Sequence, residues 1–211
     1  SVVYFDVNAE DNREEVNQAI ELLSNPDVQG KKKYDAIIAL QKLKSPQAVG
    51  VLYDQIDFIS MWGTQRITES IYPATHALIL IGDDSVKGAE EYLKSKAIED
   101  PDKLRLIAHV VQEVFRKKSG DPVGSKYPIT NKMLLSWVKD NFSDEQLKIL
   151  GKVFYFPPLK DYLEKEMVSV KKHRYEEEVT NENNDSKKQE EPKQNDEKNN
   201  PLYGEMKYST G

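Results

Sequence analysis

The stretch from Thr75 to Gly88, THALILIGDDSVKG, places a histidine and two adjacent aspartates at the ends of an apolar run. Carboxylates can hold a metal ion, and a histidine can act as a general base, so this stretch has the residue types of a catalytic site. A calcium loop is not expected, because alternating acidic positions, a central glycine and a bidentate glutamate do not follow. The competing interpretation is structural: a helix, a turn and the start of a second helix.

Other residues with catalytic potential are sparse. The three histidines, His76, His109 and His173, lack the spacing of a zinc site, and the chain has no cysteine for thiolate chemistry. The apolar surroundings of His76 favour packing between helices, whereas a polar cleft around it would favour catalysis. Motifs for a nucleophilic serine or for nucleotide phosphates do not occur. The sequence therefore nominates no catalytic residue, no metal ligand and no cofactor.

The elements that carry these residues follow a helical period. Apolar residues recur at i, i+3, i+4 and i+7 in successive segments, which is the spacing of one buried helix face. Between two such segments, Ser45-Pro46 provides a helix N-cap and a first-turn proline. The second of these helices is predicted to bury Val49, Leu52, Tyr53 and Ile56. Two short helices joined by a tight turn form a helical hairpin.

The hairpin pattern repeats along the chain. Five residues recur after a constant shift of 38: Tyr34, Ala36, Ala39, Leu40 and Leu43 return as Tyr72, Ala74, Ala77, Leu78 and Ile81. The same shift aligns Gly82-Asp83-Asp84 with Lys44-Ser45-Pro46, which is a turn without metal-binding chemistry. We therefore predict that Gly82 ends one helix and that Asp83 or Asp84 caps the next.

Further helix starts follow downstream. Asp100-Pro101 opens a third copy of the pattern, and Thr130 is predicted to cap another helix. Ser143 and Gln146 have the spacing of a capping box. A last helix is predicted over residues 159–172, after which the apolar period stops.

Residues 73–93, PATHALILIGDDSVKGAEEYL, resemble the HEAT-like helical repeat, an armadillo-type α-solenoid family. The matching features are Ala74, Ala77-Leu78, Ile81-Gly82-Asp83, Val86, Ala89 and Leu93. The resemblance extends over roughly residues 31–118, although Lys44 stands where the family pattern prefers glycine. It implies an all-α fold, a right-handed α-solenoid of stacked helical hairpins, whose extended surface binds other macromolecules.

Composition divides the chain into three parts. Residues 1–9 are predicted to be an extended lead-in, residues 10–172 the HEAT-like α-helical repeat domain, and residues 173–211 a disordered charged tail. Residues 176–200 contain nine acidic residues and four lysines, but no Leu, Ile, Phe, Tyr or Trp. Such a segment buries too little apolar surface to fold on its own.

Charge and hydropathy restrict the class of partner. The chain outside the acidic tail is close to neutral, so a nucleic-acid partner is not expected, because phosphate binding needs a basic surface. No apolar run is long enough to span a membrane. The start at Ser1 fits a mature exported protein or a piece excised from a longer chain alike. Export, to the periplasm or the envelope, is slightly favoured over a cytoplasmic location.

Two irregular segments are candidates for binding a protein or peptide. Residues 58–70, FISMWGTQRITES, carry Met61, Trp62 and Arg66, and aromatic and arginine side chains at such a tip are typical of binding hot spots. Residues 119–128, SGDPVGSKYP, carry Lys126 and Tyr127 in a loop rich in glycine and proline. The alternatives are that Trp62 packs onto its own helices and that the loop only connects them.

The predicted function is therefore a non-catalytic protein–protein interaction or scaffold module. One alternative is a structural or assembly component at a bacterial cell envelope. The other is an enzyme-associated HEAT-like protein of the lyase type, because the resemblance extends to a class that includes lyases and glycosylases.

Overall fold

The computed structural model describes residues 7–61, 71–121 and 127–166. Every regular element in these ranges is a helix and none is a strand, which confirms the predicted all-helical class. The chain divides into two compact units, Ser1–Lys165 and Glu166–Gly211. Apart from Glu166, all described residues belong to the first unit.

The described residues are built into helices. In chain order they are α1 (Val7–Ser24), α2 (Gly30–Leu43), a 3-10 turn (Pro46–Ala48), α3 (Val49–Asp54), α4 (Pro73–Ile81), α5 (Asp83–Ser95), α6 (Pro101–Ser119), α7 (Pro128–Asn141), α8 (Asp144–Val153) and α9 (residues 157–166). The predicted inward residues of the second helix, Val49, Leu52, Tyr53 and Ile56, are all buried.

The N-terminal boundary differs from the prediction. Helix α1 begins at Val7, so residues 7–9 are helical rather than extended. Alanine and glutamate, the residue types at positions 9 and 10, have high helix propensity, which agrees with the earlier start. Residues 1–6, the predicted helix beyond residue 166 and the predicted tail at 173–211 lie outside the described residues.

The helices contact one another in two series. Helices α2, α4, α6 and α8 touch in succession, and so do α3, α5 and α7. Helix α1 packs on α2 and α3. One cluster of buried side chains runs from Val16 in α1 to Leu159 in α9, so successive helix pairs share a continuous core.

Gly82 ends helix α4, as predicted. Its backbone has φ 83° and ψ −130°, a conformation that residues with a Cβ rarely adopt, and its amide donates to the Leu78 carbonyl at 3.2 Å. The predicted cap at Asp83 or Asp84 is wrong. Helix α5 starts directly after Gly82, so both aspartates already lie in its first turn, where the helix dipole favours negative charge.

Two of the other predicted caps are confirmed. The Asp100 carboxylate accepts from the amides of Asp102 and Lys103, at 2.9 and 3.0 Å. Ser143 and Gln146 form the full capping box at the start of α8. Both depend only on neighbours within three residues, which a sequence pattern can detect.

The predicted cap at Thr130 is wrong. Helix α7 begins at Pro128, and Thr130 is buried in its first turn. Its amide donates to Asp121 Oδ2 at 2.9 Å, and its hydroxyl lies 2.9 Å from Ser119 Oγ. Asp121 therefore takes the role of the cap from nine residues upstream. Burial acts to raise the pKa of Asp121, but hydrogen bonds from Thr130, Ile129 and Ser119 hold it below its ordinary value.

Candidate functional site

A surface groove of about 670 Å³ separates helices α3 and α5 and is here called the α3–α5 groove. The residues that line it are Pro46, Gln47, Val49, Gly50, Asp54, Asp84, Lys87, Gly88, Glu91, Tyr92, Ser95 and Lys96. Most of them are exposed, while Val49 and Tyr92 are buried and form an apolar floor.

Two glycines shape this groove in different ways. A Cβ atom added at Gly88 would lie 2.1 Å from Val49 Cγ1, so α3 and α5 approach closely only because Gly88 has no side chain. A Cβ atom at Gly50 would meet no atom within 4 Å. The wall of the groove at Gly50 is therefore bare backbone next to open space.

Stacked tyrosines support the floor. The rings of Tyr53 and Tyr92 lie 5.4 Å apart at an angle of 27°. The Tyr53 hydroxyl is fully buried and donates to the Ser85 carbonyl at 2.8 Å, which joins α3 to α5. Burial raises the pKa of Tyr53. Burial also raises the pKa of Tyr92, together with the charge and hydrogen bond of Asp54 and the charge of Asp57. Both phenols therefore stay neutral at ordinary pH.

Lys96 stands at the junction with a second groove. Its ammonium forms an ion pair with Asp54 and lies 4.6 Å from the centroid of the Tyr92 ring. Ser95 and Lys96 line both the first groove and the second, so the two grooves adjoin. Lys96 is thus fixed by helix α3 on one side and by the tyrosine ring beneath it.

The second groove, here called the α5–α8 groove, has a volume of about 680 Å³. It lies among the end of α5, the connection to α6, the end of α7 and the start of α8. Its apolar lining is Leu93, Ala97, Ile98 and Ile149. Gln146 Nε2 donates to the Ile98 carbonyl at 2.9 Å, which fixes α8 against the connection before α6.

The charges that line the two grooves are unequal. Five carboxylates and three lysines line them. Two of the lysines are paired with lining carboxylates, Lys96 with Asp54 and Lys87 with Asp84, the latter at 3.8 Å. Four lining residues make no ion pair within the described chain: Glu91, Glu99, Glu145 and Lys94. The joined grooves therefore carry an excess of two negative charges.

The two predicted binding residues that the structure describes lie outside both grooves. Met61 is 77% exposed after α3, near Ile59, which is 57% exposed. Tyr127 is half-buried at the start of α7 with φ 47°. Neither Met61 nor Tyr127 lines either groove. Trp62, Arg66 and Lys126 lie outside the described residues, so the structure does not test their predicted role.

The histidines of the described chain are not part of the grooves. His76 in α4 and His109 in α6 are both half-buried, and neither lines either groove. Over residues 7–61, 71–121 and 127–166, no group of three or more His, Asp or Glu side chains is arranged to hold a metal ion. His173 lies outside these ranges.

Sequence reasoning did not nominate the groove residues. The available signal was a pair of glycines inside helical segments, Gly50 and Gly88, separated by the same 38 residues as the recurring residues of α2 and α4. A glycine within a helix costs stability relative to alanine, so it often marks close packing or a functional contact. Tyr92 and Lys96 gave no signal, because each is ordinary on the face of a helix.

Comparison with known proteins finds no match for this chain. No protein-family model matches the chain, and no curated protein or solved structure matches it at a significant level. Among the helices that the structure describes, none has the length and apolar character needed to cross a membrane. Function is therefore inferred from the geometry of the two grooves.

Proposed function

We propose that the protein is a non-catalytic interaction or scaffold module, a right-handed HEAT-like α-solenoid that binds a protein or peptide partner. The two series of successive helix contacts support the stacked-hairpin arrangement, in which α2, α4, α6 and α8 form one layer and α3, α5 and α7 the other. The binding surface is formed by the α3–α5 and α5–α8 grooves, which adjoin at the end of α5 and include the start of α8 from the first layer.

The observation that carries this proposal is the continuity of the two grooves at Ser95 and Lys96. Their lining residues are mostly exposed, so a small ligand would keep much of its surface in water. A polypeptide can instead contact several helices at once and bury the apolar floor of both grooves. The geometry favours a macromolecular ligand for this reason.

The titratable groups of the grooves also favour binding over catalysis. A general base needs a pKa near the working pH, whereas burial raises the pKa of Tyr92 further above neutrality. Lys96 is engaged by Asp54 and by the ring of Tyr92. The envelope and lyase-type alternatives stay predictions, because no contact in the described chain favours either of them.

The test fills the groove without changing its charge. The full chain is immobilised as bait, and the proteins that it captures are compared with those captured by Gly50→Gln. The new side chain occupies the open space beside Gly50, so we expect captured partner to fall by about tenfold or more, equivalent to about 1.4 kcal/mol. Helicity and thermal midpoint should be maintained, because Gly50 is an exposed helical position.

Ser136→Gln is the matched control, because Ser136 is exposed on α7 and lines neither groove. It should capture the partner as the unaltered chain does. Equal capture by Gly50→Gln and Ser136→Gln would exclude the α3–α5 groove as the binding surface.

A further inference from the structure

Building on the proposed binding function, we infer that the joined grooves accept a segment of a partner protein that combines apolar residues with lysine or arginine. The basic side chains lie beside Glu91 in the α3–α5 groove and beside Glu99 and Glu145 in the α5–α8 groove. The apolar side chains cover the floor between them.

The charges of the grooves favour a basic ligand. Two of the three lining lysines are already engaged by carboxylates, so they present little net positive charge to a ligand. Within the part of the chain that the structure describes, Glu91, Glu99 and Glu145 have no basic partner of their own. A cationic ligand gains Coulomb energy from these three groups without breaking an existing ion pair.

The apolar floor favours a ligand that also carries apolar side chains. Val49 and Tyr92 in one groove, and Leu93 and Ile98 in the other, are each 6 to 8% exposed. They are buried but still reach the groove surface. Apolar contact at the centre with charged contact around it is the usual composition of a protein interface, in which the charges set orientation and partner choice.

The α3–α5 groove also has space for a long side chain. The region next to Gly50 is open, and Glu91 lines the same groove. A lysine or arginine can lay its methylene stem along apolar surface while its charged end reaches a carboxylate. The open space next to Gly50 therefore suits a partner with long basic side chains better than one with short polar side chains.

The same charges disfavour a nucleic acid. Phosphate binding draws on unpaired lysine and arginine, whereas Lys94 is the one lining lysine without an ion pair in the described chain. The unpaired glutamates would repel phosphates. The partner that fits the grooves is consequently a polypeptide with net positive charge.

The test measures binding of labelled peptides to the full chain by fluorescence anisotropy. Three peptides have the same length and leucine content and differ only in lysine, serine or glutamate at the remaining positions. We expect the lysine peptide to bind about tenfold or more tightly than the serine peptide, and the glutamate peptide to bind least. Added salt should weaken the lysine peptide most.

Charge reversal locates the site. The double variant Glu91→Lys/Glu145→Lys should weaken binding of the lysine peptide by about tenfold or more. Its control is Glu15→Lys/Asp161→Lys, which makes the same change in net charge at two exposed carboxylates outside both grooves. A loss of the same size in the control would show attraction to total charge and overturn the inference.

The remaining outcomes separate this inference from the function on which it rests. The inference of a basic partner segment is refuted if serine or glutamate peptides bind as well as the lysine peptide, or if the lysine peptide does not bind. The binding function would then still stand if Gly50→Gln abolishes capture of a partner. Self-association that disappears in Glu91→Lys/Glu145→Lys would assign the grooves to a second copy of this chain instead.

Discussion

The two predicted hairpins, α2–α3 and α4–α5, bury alanine and leucine at positions 38 residues apart but end their first helices differently. In the first hairpin, Lys44 takes the left-handed conformation with φ 50° and ψ 36°, and a 3-10 turn leads into α3. In the second, Gly82 has φ 83° and ψ −130°, and α5 follows at once. A lysine can occupy the left-handed helical region at modest cost, whereas the conformation of Gly82 is open almost only to glycine. The recurring sequence pattern therefore accompanies similar burial of Ala36 and Ala74 and of Leu40 and Leu78, but not the same turn chemistry.

The second helices of the two hairpins differ in the same manner. Gly50 in α3 faces open space, and Gly88 in α5 faces Val49. One glycine leaves room at the surface, while the other allows two helices to approach. Comparing substitutions at Gly82 and Lys44, and at Gly88 and Gly50, can therefore measure the effects of the turn and of the helix contact separately.

The largest effect is expected at the second turn. Gly82→Val should destabilise the fold by about 2 to 3 kcal/mol, because a β-branched residue must adopt a strained backbone there. The free energy of unfolding in urea measures it. Lys44→Ala in the first turn is the control and should change stability by less than about 0.5 kcal/mol. Equal losses at the two turns would remove the distinction between them.

The contact between α3 and α5 comes next. Gly88→Ala should cost about 1 to 2 kcal/mol, because the new Cβ collides with the stiff side chain of Val49 and the gain in helix propensity offsets only part of this. Gly50→Ala should be neutral or stabilising by up to about 1 kcal/mol. Thermal unfolding of both variants provides the comparison, and a stabilising Gly88→Ala would contradict the close approach.

A smaller loss is expected from the hydrogen bond between the hairpins. Tyr53→Phe removes the buried bond to the Ser85 carbonyl and should cost about 1 kcal/mol in urea unfolding. Tyr155→Phe is the control, since Tyr155 is 94% exposed and should tolerate the change. A loss of similar size at both positions would show that the bond between α3 and α5 has no particular role.

The pH dependence of stability tests the same residue. Burial raises the pKa of Tyr53 above its ordinary value of about 10, so the unfolded chain loses this proton at lower pH than the folded chain. The contribution of Tyr53 to folding stability is therefore complete below about pH 10. It is lost as the pH rises towards the raised pKa of Tyr53 in the folded chain. Stability measured between about pH 9 and 11 should fall less steeply in Tyr53→Phe than in the unaltered chain, and Tyr155→Phe should not show this change.

The smallest effect is a gain at the first turn. Lys44→Gly should stabilise the fold by about 0.5 to 1 kcal/mol, because glycine adopts the left-handed conformation without the cost of a Cβ. Chemical unfolding at several denaturant concentrations can resolve a gain of this size. A loss of stability would mean that the added conformational entropy of the unfolded chain outweighs the backbone strain that glycine removes from the turn.

Local patterns could be predicted from the sequence wherever the determining residues are close in the chain. Helical spacing identified the buried face of α3, and the capping residues Asp100 and Ser143 were found because their partners lie within three positions. Thr130 failed as a predicted cap because the acceptor for its amide, Asp121, lies across a loop. Asp83 and Asp84 failed because the repeat could not show that α5 follows Gly82 without a linking residue.

The sequence by itself determined the helical class, the buried faces and the glycine stop at Gly82, since each depends on spacing along one helix or on one backbone conformation. The tertiary structure alone decided the grooves. Tyr92, Lys96 and Glu91 belong to α5 or its end, but Asp54 and Gly50 come from α3 and Glu145 from α8. A surface between helices depends on which helices pack together and how closely, and that distance is set by contacts such as Gly88 on Val49.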